Sequence, residues 1–305
     1  MDAVDVLRNE RLHFRLGPEL KPDDLGWGNY VMTAARRLAR NFPGATEGCT
    51  LALASDLPPA AGMSSSSALI IAVFLLLADT NHIWTRPEFM ADIHCCEDLA
   101  EYLGTVENGQ SFRQLAGDRG VGTFGGSEDH TAILCSKAGQ MSQYSYCPVR
   151  LERRIALPRD LVLVVASSGV KAEKTGAAQA KYNRISLLVS QLTELWNSTS
   201  SSKLPHLAAM MEQLEGADYE KFVQIIRHAN LPANAADQLI ERLEHFYHES
   251  CVIIPAVPSD WSDESRALLG ELVEQSLEKG AELLQNQVPE TLFLAREARR
   301  LGAHA

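Results

Sequence analysis

A segment of small residues, placed between a strand-like run and an apolar helix, constrains this chain more than any other feature. Residues 58–69 read PPAAGMSSSSAL; they follow the run from Thr50 to Ser55 and open a helix predicted from Leu69 to Ala78. Small side chains let the backbone approach a ligand, and the positive end of the helix dipole favours an anion. The alternative is a serine-rich helix start without a ligand. We favour a phosphate-binding loop formed by Ala61, Gly62, Met63, Ser64, Ser65, Ser66 and Ser67.

Composition limits the partners of the chain. Its 305 residues carry a formal charge of −11, and an acidic chain repels nucleic acid and anionic membranes on average. The longest apolar run, Ala68 to Ala78, is too short to span a bilayer, and the N-terminus lacks a signal-peptide pattern. We therefore expect no nucleic-acid or membrane partner.

The cysteines indicate a reducing compartment. They are scattered without a CxxC pair, and His94-Cys95-Cys96 has no second ligand pair at a spacing typical of metal sites. We expect all of them to be reduced in a cytoplasmic protein. They are Cys49, Cys95, Cys96, Cys135, Cys147 and Cys251.

The hydrophobic pattern divides the chain into two halves. Up to Ser168, strand-like and helical patterns alternate, with a helix predicted from Arg86 to Leu103 and strands at 140–147 and 161–166. Beyond it the pattern is helical, beginning with a predicted helix from Lys174 to Trp196. We predict an α+β protein with domains at 1–168 and 169–305.

A second candidate site is a glycine turn with an acidic residue. Residues 125–130 read GGSEDH, and Asp129 at this turn is a candidate for the carboxylate that meets the attacking hydroxyl in a phosphoryl transfer. The alternative, an Asp that caps the next helix, is equally consistent with the local sequence.

Together these segments resemble signatures of the GHMP kinases, the superfamily of galactokinase, homoserine kinase, mevalonate kinase and phosphomevalonate kinase. The serine loop is similar to Pro-x-Gly-x-Gly-Leu-Ser-Ser-Ser-Ala, with Ala60 at the first Gly and Met63 at the Leu. Residues 126–130 are similar to the galactokinase segment Gly-x-Met-Asp-Gln. Residues 181–184, KYNR, resemble Tyr-Asn-x-Arg, and residues 27–31, WGNYV, resemble Trp-x-x-Tyr-Val. The resemblance extends over most of the chain.

The resemblance implies a two-lobed GHMP kinase fold that binds ATP and Mg²⁺. It comprises an N-terminal lobe like domain 2 of ribosomal protein S5 and a largely helical C-terminal lobe, with the active site between them. By the resemblance, Asp129 is the catalytic carboxylate, and Gly126 and Tyr182 contact the sugar. Ser66 and Glu107 are the implied magnesium ligands; Glu97 and Glu101 remain alternatives to Glu107.

The implied activity is phosphorylation of the C1 hydroxyl of a monosaccharide, galactose first, by a monomer or weak homo-oligomer. A kinase for another sugar such as L-arabinose, and a catalytically silent sugar- or nucleotide-binding homologue, are the alternatives. A homoserine or mevalonate kinase fits less well, because those relatives lack the Gly-x-x-Asp and Tyr-Asn-x-Arg combination. The N-terminal galactokinase signature and the final glycine-rich signature are absent from residues 1–305, so we expect a chain that lacks both ends of the family pattern.

Overall fold

The computed structural model describes residues 1–22, 26–58, 60–170, 179–201, 203–214, 217–232 and 234–305. Helices and strands are both present, which confirms the predicted α+β class. The backbone groups into two compact units, one formed mainly by Met1–Arg154 and the other by Ile155–Val170 with Lys181–Ala305. None of the helices described has the length and apolar content needed to cross a bilayer.

A small sheet lies at the beginning of the first unit. Its central strand, β1 (Asp2–Asp5), pairs antiparallel with β2 (Glu10–His13) and parallel with β3 (Thr50–Leu53). Ala3 of β1 is buried opposite Leu51 of β3, and both belong to the hydrophobic core of this unit. The sheet therefore has one apolar face for helices to cover.

Two helices supply much of the core of the first unit. α1 (Trp27–Asn41) and α2 (Ser65–Thr80) pack against each other. α2 is apolar around most of its circumference, as expected of a helix buried on several sides. The chain then forms α3 (Pro87–Asp92), α4 (Cys96–Asn108), α5 (Glu128–Cys135) and a hairpin of β4 (Gln140–Ser145) and β5 (Arg150–Ala156).

The prediction of one helix from Arg86 to Leu103 is wrong, because α3 and α4 are separate. Ile93 has an extended backbone, with φ −121° and ψ 105°. Cys95 is the N-cap of α4, and its sulfur accepts the N–H of Asp98. The Asp98 carboxylate in turn accepts the N–H of His94 at 2.9 Å. Capping contacts of this kind satisfy backbone groups at the break, and a hydrophobic period alone does not reveal them.

A buried carboxylate ties the loop after α4 to α1. The Asp118 side chain is 1% exposed and lies 2.7 Å from Arg36 Nε, 3.8 Å from Arg37 Nη1 and 3.8 Å from Arg40 Nη1. It also accepts the N–H of Gly120 at 2.8 Å. Burial lowers the pKa of the Arg37 guanidinium, and nearby Tyr102 and Asp118 oppose that shift. The ion pairs therefore fix the loop in place, since an unpaired buried charge is very unfavourable.

Gly120 brings this loop close to the end of α4. It has φ +58°, and a Cβ there would lie 2.4 Å from the carbonyl oxygen of Glu107. The next residue, Val121, donates its N–H to that same oxygen at 2.9 Å. From the other side, Asn29 Nδ2 of α1 donates to the Val121 carbonyl at 3.0 Å. The loop thus links α1 to the last turn of α4.

The second unit is mainly helical in its described part. α6 (Gln179–Thr199), α8 (Ala217–His228) and α9 (Ala235–Tyr247) contribute to one hydrophobic core, with Leu192, Phe222 and Leu243 at its centre. Residues 174–178 of the helix predicted from Lys174 lie outside the described residues. The other helices in the described part of this unit are α7 (Leu207–Met211), α10 (Ile254–Ala256), α11 (Asp263–Lys279) and α12 (Pro289–Arg300), with π-helical turns at His248–Ile253 and Gly280–Leu284.

The prediction of a strand at 161–166 is also wrong. These residues form no strand in the structure, and Val162, Leu163, Val164 and Val165 are 65–84% exposed. Strand propensity describes how well a side chain fits a pleated surface, whereas a strand also needs a neighbouring backbone to pair with. The strand that pairs with β4 is instead β5, which the sequence did not reveal because it is rich in charged residues.

We predict that Asp118→Asn destabilises the first unit by about 3–5 kcal/mol, because it leaves buried arginine charge uncompensated. Urea unfolding of this variant, of a control variant and of the parent protein measures the change in the free energy of unfolding. Asp218→Asn is the matched control: Asp218 forms an exposed pair with Lys221, and its loss should cost less than about 1 kcal/mol. Equal stability of the two variants would show that the Asp118 ion pairs do not hold the loop.

Candidate functional site

The serine loop makes a tight, partly left-handed approach to α2. Ala60, Gly62 and Ser64 have φ values of 53°, 73° and 52°. The Ser64 carbonyl accepts the N–H of Ala68 at 3.0 Å, so the helix begins at Ser65, earlier than predicted. The N–H groups of a first helical turn have no partner within the helix, and they favour an anion.

Glu107 lies beside this helix start. Its Oε2 accepts a hydrogen bond from Ser67 Oγ at 2.9 Å, and its Oε1 accepts one from Ser66 Oγ at 3.4 Å. Glu107 is in the last turn of α4 and is 8% exposed. The structure therefore brings together the two residues that the resemblance implies as magnesium ligands, although they are 41 positions apart in the sequence.

His130 supports the same carboxylate from α5. Its Nε2 lies 3.4 Å from Glu107 Oε2, and the side chain is 1% exposed. Ser67 and His130 thus both approach Oε2, while Ser66 approaches Oε1. The carboxylate is thus contacted by α2 at both oxygens and by α5 at Oε2.

Asp129 lies in the first turn of α5, beside His130. The helix has Ser127 as its N-cap, and Asp129 itself is half-buried. α4 and the turn before α5 approach closely here: a Cβ at Gly104 would lie only 2.8 Å from Ser127 Cβ, so a larger residue would not fit without a shift. Asn108 Nδ2 donates to the Gly125 carbonyl at 2.8 Å and so joins the glycine turn to the residue after Glu107.

Tyr146 is near the acidic first turn of α5. Burial raises the pKa of Tyr146 to about 12, and the Glu128 and Asp129 carboxylates contribute to that shift. The tyrosine is therefore a neutral hydroxyl at ordinary pH. It lies in the turn after β4, in a segment where the sequence pattern indicated no site.

The other candidate residues lie elsewhere. Glu101 Oε2 accepts the N–H of Val149 at 3.0 Å, and Glu97 is in the first turn of α4, at the opposite end from Glu107. Gly126 is exposed in the turn before α5, and Tyr182 is half-buried in α6 of the second unit. The sugar-binding role of Gly126 and Tyr182 stays a prediction.

Sequence reasoning missed the contribution of His130. It was recognised only as a departure from the Gln of the galactokinase segment, and nothing in its spacing from Glu107 predicts a contact. Within the described residues, no group of three or more His, Cys, Asp and Glu side chains converges as a metal site. Any metal held here would use few protein ligands, which is typical of Mg²⁺ bound with phosphates.

We predict that Ala60→Gly stabilises the chain by up to about 1 kcal/mol. A left-handed backbone costs an L-residue roughly 1–2 kcal/mol, and the greater freedom of glycine in the unfolded chain offsets about 0.5–1 kcal/mol of the gain. Thermal and urea unfolding measure the difference. Ala61→Gly is the control, because Ala61 has no positive φ and should lose stability. Equal losses in both variants would rule out strain at Ala60.

A known protein family matches part of the first unit. Residues 29–109 match the GHMP kinases N terminal domain, and this range includes most of α1 and all of β3, α2, α3 and α4. Galactokinases of Actinobacillus pleuropneumoniae serotype 5b (strain L20) and serotype 3 (strain JL03) are each 34% identical over 71 residues. That stretch is 23% of this chain, and the chain spans only 18% of the length of these curated relatives. The resemblance seen in the motifs is confirmed for the stretch these comparisons cover: residues 29–109 match a GHMP kinase domain, and the chain is similar to galactokinases over 71 residues.

Proposed function

We propose that this chain is an ATP-dependent sugar kinase that phosphorylates the C1 hydroxyl of a monosaccharide, with galactose as the first candidate. The observation that carries the proposal is the convergence of Ser66 and Glu107 at the start of α2. The family match supports a phosphotransferase, and the name of the relatives supports galactose. We also propose that the protein is cytoplasmic and is a monomer or weak homo-oligomer.

The residues at the helix start fit a magnesium–triphosphate complex. Ser66 Oγ and Glu107 Oε1 are hard oxygen donors 3.4 Å apart, and both can turn toward one ion. Residues 61–67 would contact the phosphates through backbone N–H groups and hydroxyls. When bound, the ion would neutralise charge on the phosphate oxygens, which is much of what phosphoryl transfer requires from a site.

Asp129 would act on the acceptor. A carboxylate positioned at a substrate hydroxyl can accept its proton as the oxygen attacks phosphorus. Asp129 follows a glycine turn and lies next to His130, so its position is set by the same helix that supports Glu107. We propose that Gly126 and Tyr182 contact the sugar.

A catalytically silent binding protein is the second candidate function. The observation that favours it is the extent of the family match, which ends at residue 109 and so includes Glu107 but not Asp129. The phosphate side of the site is thus supported by the family model, whereas the acceptor side is not. A kinase for another sugar, such as L-arabinose, is compatible with the same observation, because the match does not reach the acceptor side.

We expect Glu107→Gln to weaken magnesium-dependent ATP binding. Loss of residues that merely support metal ligands costs about 10–100-fold in metal affinity, and loss of a ligand should cost no less. Calorimetric titration with ATP, in the presence and in the absence of Mg²⁺, separates a loss of metal binding from a loss of nucleotide binding. Glu97→Gln, the same change at the opposite end of α4, is the control. If both variants bind MgATP like the parent, Glu107 is not a ligand.

For Asp129→Asn we expect sugar phosphorylation to fall by roughly 10²–10⁴-fold, the usual cost of removing a positioned general base. ATP affinity should be unchanged. Coupled kinase assays on galactose, L-arabinose and other sugars measure the loss, and Glu128→Gln, one residue away on the exposed side, is the control. Turnover equal to the parent would exclude Asp129 from the reaction. A parent chain that binds MgATP but phosphorylates none of the sugars would support the silent binding protein.

A further inference from the structure

Two thiols meet at the end of the α4–α5 pair that lies away from the candidate site. Cys96 is the first residue of α4, and Cys135 is the last residue of α5. Cys96 Sγ donates to the carbonyl oxygen of Leu134, the residue bonded to Cys135, at 3.2 Å. The Cys96 thiol is also one of the groups that raise the pKa of the Cys135 thiol, as expected of neighbouring side chains. The fold thus pairs two cysteines that are 39 positions apart in the sequence.

The two helices run antiparallel, which explains this pairing. At one end, Glu107 in the last turn of α4 meets His130 in the first turn of α5. At the other end, the first residue of α4 therefore meets the last residue of α5. Both cysteines are terminal helical residues, where the backbone can adjust without breaking hydrogen bonds in a helix interior.

The two thiols differ in their surroundings. Cys96 is exposed, whereas Cys135 is 6% exposed. Burial first, and the Cys96 thiol next, raise the pKa of Cys135 to about 12, so Cys135 stays a protonated thiol at ordinary pH. A small oxidant in solvent therefore reaches Cys96 first.

The neighbouring Cys95 is differently engaged. It caps α4, and its sulfur accepts the N–H of Asp98 at 3.5 Å. A thiolate metal site is not formed here, since the described residues contain no metal-binding group of three or more Cys, His, Asp and Glu. The geometry thus selects Cys96 rather than Cys95 as the partner of Cys135.

We propose that Cys96 and Cys135 form a reversible intramolecular disulfide when the protein meets a peroxide. The Cys96 sulfur attacks one peroxide oxygen, the O–O bond breaks, and hydroxide leaves and takes up the thiol proton as water. Cys135 sulfur then attacks the Cys96 sulfenic acid; the S–O bond breaks, the S–S bond forms, and a second water leaves with the Cys135 proton. The two thiols lose two electrons, and the peroxide gains them.

The test is peptide mapping of the full 305-residue chain after treatment with hydrogen peroxide. Trypsin yields Gly120–Lys137, in which Cys135 is the sole cysteine, and Asn41–Arg113, which contains Cys49, Cys95 and Cys96. We expect these two peptides to be joined before reduction and separate after dithiothreitol. The joined species should persist in Cys95→Ser and Cys49→Ser, and it should be lost in Cys96→Ser and Cys135→Ala.

The native fold must direct the pairing, so the same treatment in guanidinium chloride is part of the experiment. Random pairing among the six cysteines is expected there, with no preference for Cys96–Cys135. The proposal is overturned if the native chain gives no joined peptide, or if the denatured chain gives as much of it. Loss of the joined peptide in Cys95→Ser with retention in Cys96→Ser would also overturn it, since it would assign the bond to the wrong sulfur.

Discussion

The ion pairs of Asp118 with the arginines of α1 hold the loop after α4 in place, and the candidate site depends on that loop. One carboxylate that is 1% exposed lies against three guanidinium groups. Charges this deeply buried cannot separate without leaving one of them unpaired, which is strongly unfavourable. The loop that carries Asp118 is consequently anchored to α1, and this loop connects α4 to α5.

The anchoring reaches the candidate site through backbone contacts. Val121, three residues after Asp118, hydrogen-bonds Glu107 through its N–H and Asn29 through its carbonyl. The end of α4, with Glu107, is therefore held on the side of α1. The chain then returns through the glycine turn to α5, which places His130 against Glu107. The ion pairs of Asp118 are thus linked through Val121 to the residues around Glu107.

The sequence predicted the local parts of this arrangement better than its long-range parts. The serine loop and α2 were identified from residue size and apolar content, which are properties of the segment itself. The break between α3 and α4 depends on capping by Cys95 and Asp98, and capping overrides a continuous hydrophobic pattern. The run at 161–166 has the composition of a strand, but it has no strand pairing in the structure. The contact of His130 with Glu107 depends on how α4 and α5 pack, and no spacing rule contains that information.

The two carboxylate oxygens of Glu107 have different neighbours. Ser67 and His130 both approach Oε2, whereas Ser66 of the serine loop approaches Oε1. A carboxylate held through one oxygen presents the other in a fixed direction, and here that direction is toward the helix start where an anion is favoured. The galactokinase segment has Gln where this chain has His130, and both side chains can donate a hydrogen bond to a carboxylate. At this position the chain keeps a nitrogen-bearing side chain, whose Nε2 lies 3.4 Å from Glu107 Oε2.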